Sequence, residues 1–191
     1  MNYLLASASP RRRELLTMVG FGPFEVVPSG ADESVVRGLT PVETVRSLAL
    51  LKGRDVLSGR EDDVLVISAD TVVAVDGQIL GKPRDAADAY RMLSLLSGRT
   101  HQVHTGISLM THQKTVSDVV SADVTFRPLS EEEIRRYVES GEPMDKAGAY
   151  GIQGKASLFV SGLNGDYYTV VGFPLCRFSE LLSEFGVTLF T

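Results

Sequence analysis

Apolar positions along this chain follow two rhythms, period two and period about 3.6, and the alternation between them predicts strands and helices taken in turn. Tyr3 to Ala6 is a short apolar run suited to a buried strand. Ser9 and Pro10 then supply an N-cap and a first helical residue, so a helix is expected through about Val19, stopping at Gly20. Phe24 to Val27 reads as a strand. Thr40-Pro41-Val42-Glu43 carries a capping box and opens a helix whose stripe is Val42, Val45, Leu48, Ala49 and, unexpectedly, Lys52. Val64 to Val75 predicts two strands meeting near Asp70, and Asp76-Gly77 turns the chain into Gln78 to Leu80. Asp85 caps a helix over Ala86 to Leu96 with Ala89, Met92, Leu93 and Leu96 on one face and Gly98 past its end. His101 to Ile107 alternates as a strand, and Thr115 to Phe126 is its hairpin partner around Thr111 to Lys114. Ser130 and Glu133 form a second capping box, with that helix ending at Ser140-Gly141. Leu158 to Val160 and Tyr167 to Val171 read as a last hairpin turned at Asn164-Gly165, and a helix from Pro174 to Phe185 closes the chain with Cys176 in its core. Interleaved strands and helices define an α/β class with a mixed sheet.

Composition narrows the setting. With 191 residues, 43% of them hydrophobic, the chain fills one core, or two lobes sharing a sheet. A net charge of −5 argues against a partner in duplex nucleic acid, which selects a basic face. The single cysteine excludes an internal disulfide and fits a reducing compartment. The N-terminal arginines follow a short apolar run, the reverse of a signal peptide, and no apolar run approaches the roughly 18 residues of a membrane span. A cytoplasmic protein with no membrane partner is the expectation.

The candidate chemistry centres on SADTVVAVDGQILGKP, Ser68 to Pro83. A carboxylate flanked by β-formers, Asp70, needs a metal, a lysine or several backbone donors if it is buried; its plain structural role is to cap a strand end. Lys82 follows the hairpin. Arg11, Arg12 and Arg13 fall in the first turn of a helix, where the helix dipole disfavours cations; they are either a solvated basic turn or an anion site. Asp32-Glu33 lies in a loop that is solvated or metal-binding, and Lys52 either snorkels to water or points into a pocket. In DKAGAYGIQGK, Asp145 to Lys155, a P-loop fails on spacing, since Gly148 to Gly154 is one residue too long and Ala156 replaces the hydroxyl residue. Its glycines suit close backbone approach to a ligand, with Gln153 able to read a base edge. His101 and His104, three apart on a strand, face opposite ways and make a poor metal pair. No serine–histidine or cysteine–histidine nucleophile stands out. Carboxylates with lysines and arginines are the kit for metal-assisted attack of water on a phosphoanhydride.

SASPRR (Ser7 to Arg12), ADTVV (Ala69 to Val73), GKPRDAADAYRMLSLLSGRTHQV (Gly81 to Val103) and GEPMDKAGAYGIQG (Gly141 to Gly154) together resemble the Maf family of nucleotide pyrophosphatases along nearly the whole chain. The resemblance implies a fold like the inosine-triphosphate pyrophosphatases, an elongated mixed β-sheet with flanking helices and two lobes around a cleft, here one domain over residues 1–191. It implies hydrolysis of nucleoside triphosphates to monophosphate and pyrophosphate with a divalent cation, Mg2+ or alternatively Mn2+ or Co2+. Matched by motif, Asp70 is the general base and, with Glu33, a metal ligand. Ser7, Arg12, Lys52 and Lys82 contact phosphate. Arg11, Thr71 and Gln153 match the subfamily that hydrolyses dTTP and UTP, modified pyrimidine nucleotides included, whereas the sister subfamily acting on 7-methyl-GTP has Asp-Gln at the aspartate. Two positions depart from the pattern: a third arginine, Arg13, and Gly53 where alanine usually follows the lysine. The alternative is a non-catalytic nucleotide binder that regulates septum formation. Oligomeric state is left open, a homodimer included.

Overall fold

A computed structural model of the chain describes residues 1–189. Seven strands among them form one mixed sheet: β1 (Asn2–Leu5), β2 (Phe24–Val26), β3 (Val64–Val75), β4 (Gln78–Leu80), β5 (Thr100–Met110), β6 (Thr115–Phe126) and β7 (Val160–Asn164). Their order is β2-β1-β3-β5-β6-β7, with β4 paired to β3. β1 runs parallel to both β2 and β3, and β4 and β7 run antiparallel to β3 and β6. The helices are α1 (Pro10–Met18), α2 (Pro41–Ser58), α3 (Ala86–Leu96), α4 (Glu131–Glu139), α5 (Tyr167–Val171) and α6 (Leu175–Ser183). None is long and apolar enough to cross a membrane.

Local chemistry explains most boundaries. Thr40 and Ser130 each accept from the backbone N–H three residues on, while Glu43 and Glu133 reach back, so both capping boxes close. Asp76 and Gly77 have φ of 52° and 75°, the pair of positive values that a two-residue hairpin turn with matching twist requires. On α2 the buried face is Val45, Leu48, Ala49, Gly53 and Val56, and Val42, the first residue of the expected stripe, is exposed.

The chain divides into two compact units. The first, residues 1–70, 105–120 and 172 onward, packs Leu4, Ala6, Val56, Val64, Val66 and Met110 together. The second, residues 71–104 and 121–171, is filled by side chains such as Leu93, Val124, Phe126, Ile134, Tyr150 and Phe159.

Three expectations are corrected. Val64 to Val75 is one continuous strand and does not break at Asp70; the carboxylate meets a lysine on α2, so the ladder runs through it. Tyr167 to Val171 is a helix, not a hairpin arm. Asp166 accepts from the N–H groups of Tyr168 and Thr169 and from the Thr169 hydroxyl, which starts a helical turn despite the β-branched run. β6 pairs instead with Val160–Asn164, and Leu158 lies in a 3-10 turn. Cys176 is exposed, because the buried face of α6 is Leu175, Phe178, Leu181 and Leu182.

Candidate active site

The first unit holds six of the expected residues, Ser7, Arg11, Arg12, Glu33, Lys52 and Asp70. α2 presents Lys52 to β3, where its ammonium lies 2.5 Å from Asp70 Oδ1 and 3.0 Å from Glu33 Oε1. Lys52 and Asp70 are both largely buried, whereas Glu33, on a 3-10 turn begun by Asp32, is half exposed. Lys52 therefore does not snorkel; it holds two carboxylates from separate segments at one point. Burial of that kind is tolerable only for a paired charge.

Ser7 follows β1 and is buried. Its Oγ accepts from Arg12 Nη1 at 3.1 Å and from the Ser9 N–H at 3.2 Å. With both acceptor positions used, the hydroxyl proton is directed toward some other acceptor. Arg12 Nε donates to the Gly172 carbonyl at 2.9 Å, which fixes the fork's orientation. Burial pushes the Arg12 guanidinium below its ordinary value, the Asp70 carboxylate pushes it up, Arg11 pushes it down and Glu33 pushes it up. Arg11, Arg12, Glu33, Lys52 and Asp70 thus share one electrostatic neighbourhood at the start of α1, three cations against two carboxylates. Acidic residues are absent from the first turn of α1, and Ser9 makes no side-chain cap, so the helix N-terminus adds its own positive end to the cluster. A multiply charged anion is the ligand such an arrangement suits. Glu33 and Asp70 form an oxygen-only donor pair, and no group of three or more His, Cys, Asp or Glu side chains among the described residues makes a complete metal cage.

Lys82, Thr71 and Gln153 belong to the second unit. Alternation along β3 puts Ser68 and Asp70 on the face toward α2, where Ser68 Oγ donates to the Ala49 carbonyl. Thr71 and Val73 take the other face, and the backbone at Gly148 packs directly on Val73. Gly148 N–H donates to the Gly81 carbonyl at 3.1 Å, tying the segment that carries Lys82 to the loop that carries Gln153. Lys82 and Gln153 are both exposed. His101 bonds Tyr150 Oη at 2.8 Å through Nε2, and His104 bonds Ser121 Oγ at 2.7 Å through Nδ1, so the two histidines serve separate partners. Sequence reading missed the Gly172 carbonyl that orients Arg12; 160 residues separate the two, and no local pattern marks such a partner.

An α/β chain with a mixed sheet and a paired-carboxylate, cation-rich anion site is the class defined so far. The particular family follows from comparison: the chain belongs to the Maf family, whose model, described as Maf-like protein, matches residues 2–185. The chain is 53% identical to the dTTP/UTP pyrophosphatase of Moorella thermoacetica, over 96% of this chain and 95% of the relative. Identity is 51% to the protein of the same name from Symbiobacterium thermophilum, over 98% and 96% of the two chains. It is 47% to that of Bacillus pumilus, over the full length of both. Among solved structures, a nucleoside-triphosphatase/dITP/XTP pyrophosphatase from Mycobacterium abscessus aligns over 97% of this chain and 94% of its own, at 18% identity and a TM-score of 0.47.

Proposed function

We propose that this chain is a nucleoside triphosphate pyrophosphatase that hydrolyses dTTP and UTP to the nucleoside monophosphate and pyrophosphate. The observation that carries the chemistry is Lys52 bridging Glu33 and Asp70 beside Arg12 and Ser7. The substrates are those named for relatives about half identical over nearly their whole length. The family match runs through both compact units, which supports treating them as one functional domain.

In this reading Asp70 takes a proton from water, whose oxygen adds to a phosphorus flanking the α,β-bridging oxygen. That anhydride bond breaks, and pyrophosphate and the monophosphate separate. Lys52 fixes the carboxylate's orientation, and Arg12 with the Ser7 hydroxyl holds phosphate oxygens as charge builds on them. Lys82 contacts the substrate's phosphates, and Arg11 belongs with the residues that set substrate specificity. The oxygen donors of Glu33 and Asp70 fit a hard divalent cation, Mg2+ or in its place Mn2+ or Co2+, completed by the substrate's own phosphates. Bound there, the cation would supply Lewis-acid stabilisation of phosphate charge. Thr71 and Gln153 select the base, since a pyrimidine imide edge offers acceptor, donor and acceptor to a hydroxyl and an amide.

The test is pyrophosphate release from dTTP, UTP and 7-methyl-GTP, with and without Mg2+. Release from the first two with the cation is expected. Asp70→Asn should abolish turnover and leave nucleotide binding measurable, and retained turnover in that variant would remove Asp70 from the mechanism. Nucleotide binding without release from any of the three would make the chain a binder instead of an enzyme.

A further inference from the structure

The loop that carries Gln153 is held from beneath. Tyr137, on the buried face of α4, donates its hydroxyl to Glu142 Oε1 at 3.0 Å. The other carboxylate oxygen of Glu142 accepts from the Lys155 N–H at 3.2 Å. The Tyr137 oxygen also lies 3.4 Å from the Gly151 N–H, which donates to it. Both ends of the segment Gly151 to Lys155 are therefore fastened to one tyrosine–carboxylate pair, with Gln153 at the middle of the span. Space for this clamp exists only because residue 154 is glycine, since a Cβ there would sit 2.1 Å from Glu142 Oε1. Burial, and next the facing Glu142 carboxylate, push the Tyr137 hydroxyl well above its ordinary value, so it stays a donor across the working pH range.

We infer that Glu142 is a positioning residue for base selection: its carboxylate sets the height and direction of the Gly151–Lys155 turn, and thereby the placement of the Gln153 amide. The inference rests on the reading of Gln153 as the group that meets the base. Glu142 itself touches no nucleotide in this scheme. A carboxylate accepting from a backbone N–H and from a tyrosine makes stronger bonds than a neutral group, and a turn rich in glycine has little stiffness of its own.

The test compares kcat and KM for UTP and CTP, whose bases differ at the edge that an amide would read. Glu142→Ala should lower the UTP-over-CTP preference roughly tenfold, mainly through KM for UTP, with kcat changed far less. Glu142→Gln, which can still bridge Tyr137 and the Lys155 N–H with one bond reversed, should recover most of that preference. Glu142→Ala combined with Gln153→Ala should show the preference of Gln153→Ala alone, because the first residue acts through the second. If Gln153→Ala lowers the preference and Glu142→Ala does not, the positioning role is overturned while the functional reading stands. A Glu142→Ala loss that is equal for both nucleotides and additive with Gln153→Ala also overturns it, as a general structural effect. Unchanged preference in Gln153→Ala overturns the base-reading role and this inference with it, whereas wild-type protein that hydrolyses neither UTP nor dTTP overturns the proposed activity itself. Where Glu142→Ala does not fold, Tyr137→Phe removes the hydroxyl that the carboxylate accepts from. A threefold or so loss of preference in that variant supports the role, and an unaltered preference refutes it.

Discussion

His101 makes the second unit sensitive to acid. The imidazole is fully buried on β5, bonded through Nε2 to Tyr150 and edge-on to Phe126, and its Nδ1 has no hydrogen-bond partner. Burial pushes it from an ordinary value of 6.5 down to about 4, against a smaller upward pull from Asp123. A second proton would have to sit on a nitrogen that faces no acceptor, which is the physical content of that shift. Between pH 6.5 and about 4 the unfolded chain takes up a proton at this residue and the folded chain does not. Stability is therefore intact above pH 6.5, falls as the pH drops through the window, and stops falling on this account below about 4. Each pH unit costs up to about 1.4 kcal/mol, so the window is worth about 3 kcal/mol, or roughly 6–12 °C in the unfolding midpoint of a domain this size. His104 contributes in the same direction, since burial lowers it as well.

The assay is urea unfolding at several pH values, followed by tyrosine absorbance or near-ultraviolet circular dichroism. There is no tryptophan, and five of the six tyrosines lie in the second unit, so the signal reports the unit that holds His101. His101→Gln keeps a polar group within reach of Tyr150 and cannot titrate. It should start less stable at neutral pH and lose most of the slope between pH 6.5 and about 4, leaving the part due to His104. A variant that retains the wild-type slope would refute the assignment, as would an NMR titration placing the His101 imidazole near 6.5.

Two further outcomes follow from the first unit. Lys52→Met leaves the largely buried Asp70 and the half-exposed Glu33 without their shared ammonium; turnover should fall at least ~100-fold and stability by about 2 kcal/mol, the discounted cost of breaking a pair that is not wholly enclosed. Steady-state kinetics and a urea titration check it, and a variant with near-normal turnover would exclude Lys52 from the site. Gly106→Ala would place a Cβ 2.3 Å from the Val45 carbonyl oxygen, a backbone atom of α2, so the midpoint should drop by about 6–12 °C for roughly 3 kcal/mol of overpacking, read by thermal unfolding.

The strands and helices whose ends carry their own chemistry were legible in the sequence. Thr40 with Glu43, Ser130 with Glu133, Asp85 before Ala86 and Asp76-Gly77 all mark boundaries that the structure keeps, because capping and turn geometry are settled within four residues. Failures fall where a distant partner or a competing local bond decides. β3 runs through Asp70 because Lys52, 18 residues earlier, neutralises it. Tyr167 to Val171 has the composition of a strand, and three bonds to the Asp166 carboxylate override it. The site shows the same division. Lys52 and Asp70 were marked by charge in apolar surroundings, and Arg12 by its place in a helix first turn. The support beneath Gln153, by contrast, depends on a tyrosine of α4 that reads as ordinary core.

Gly53 is tied by packing to the placement of Lys52. Glycine is poor in a helix interior, costing about 1 kcal/mol relative to alanine, so a penalty next to a key lysine calls for a gain elsewhere. A Cβ at residue 53 would lie 2.7 Å from Met110 Cε and 2.9 Å from Ser68 Oγ. Met110 is fully buried on β5, and Ser68 Oγ is engaged with the Ala49 carbonyl of α2 and with Ser108 Oγ. Glycine thus makes room for a large thioether and for a hydroxyl bond that draws the helix down onto the sheet. Gly106, with its missing Cβ against the Val45 carbonyl, permits the same close approach two turns earlier on α2. Ser68 is two residues from Asp70 on the same face of β3, and Gly53 directly follows Lys52. The helix-to-strand distance that these small residues allow therefore sets how far the Lys52 ammonium must reach, and it reaches Asp70 at 2.5 Å. What reads in the sequence as a weak point of the helix is the packing that brings the lysine to its carboxylate.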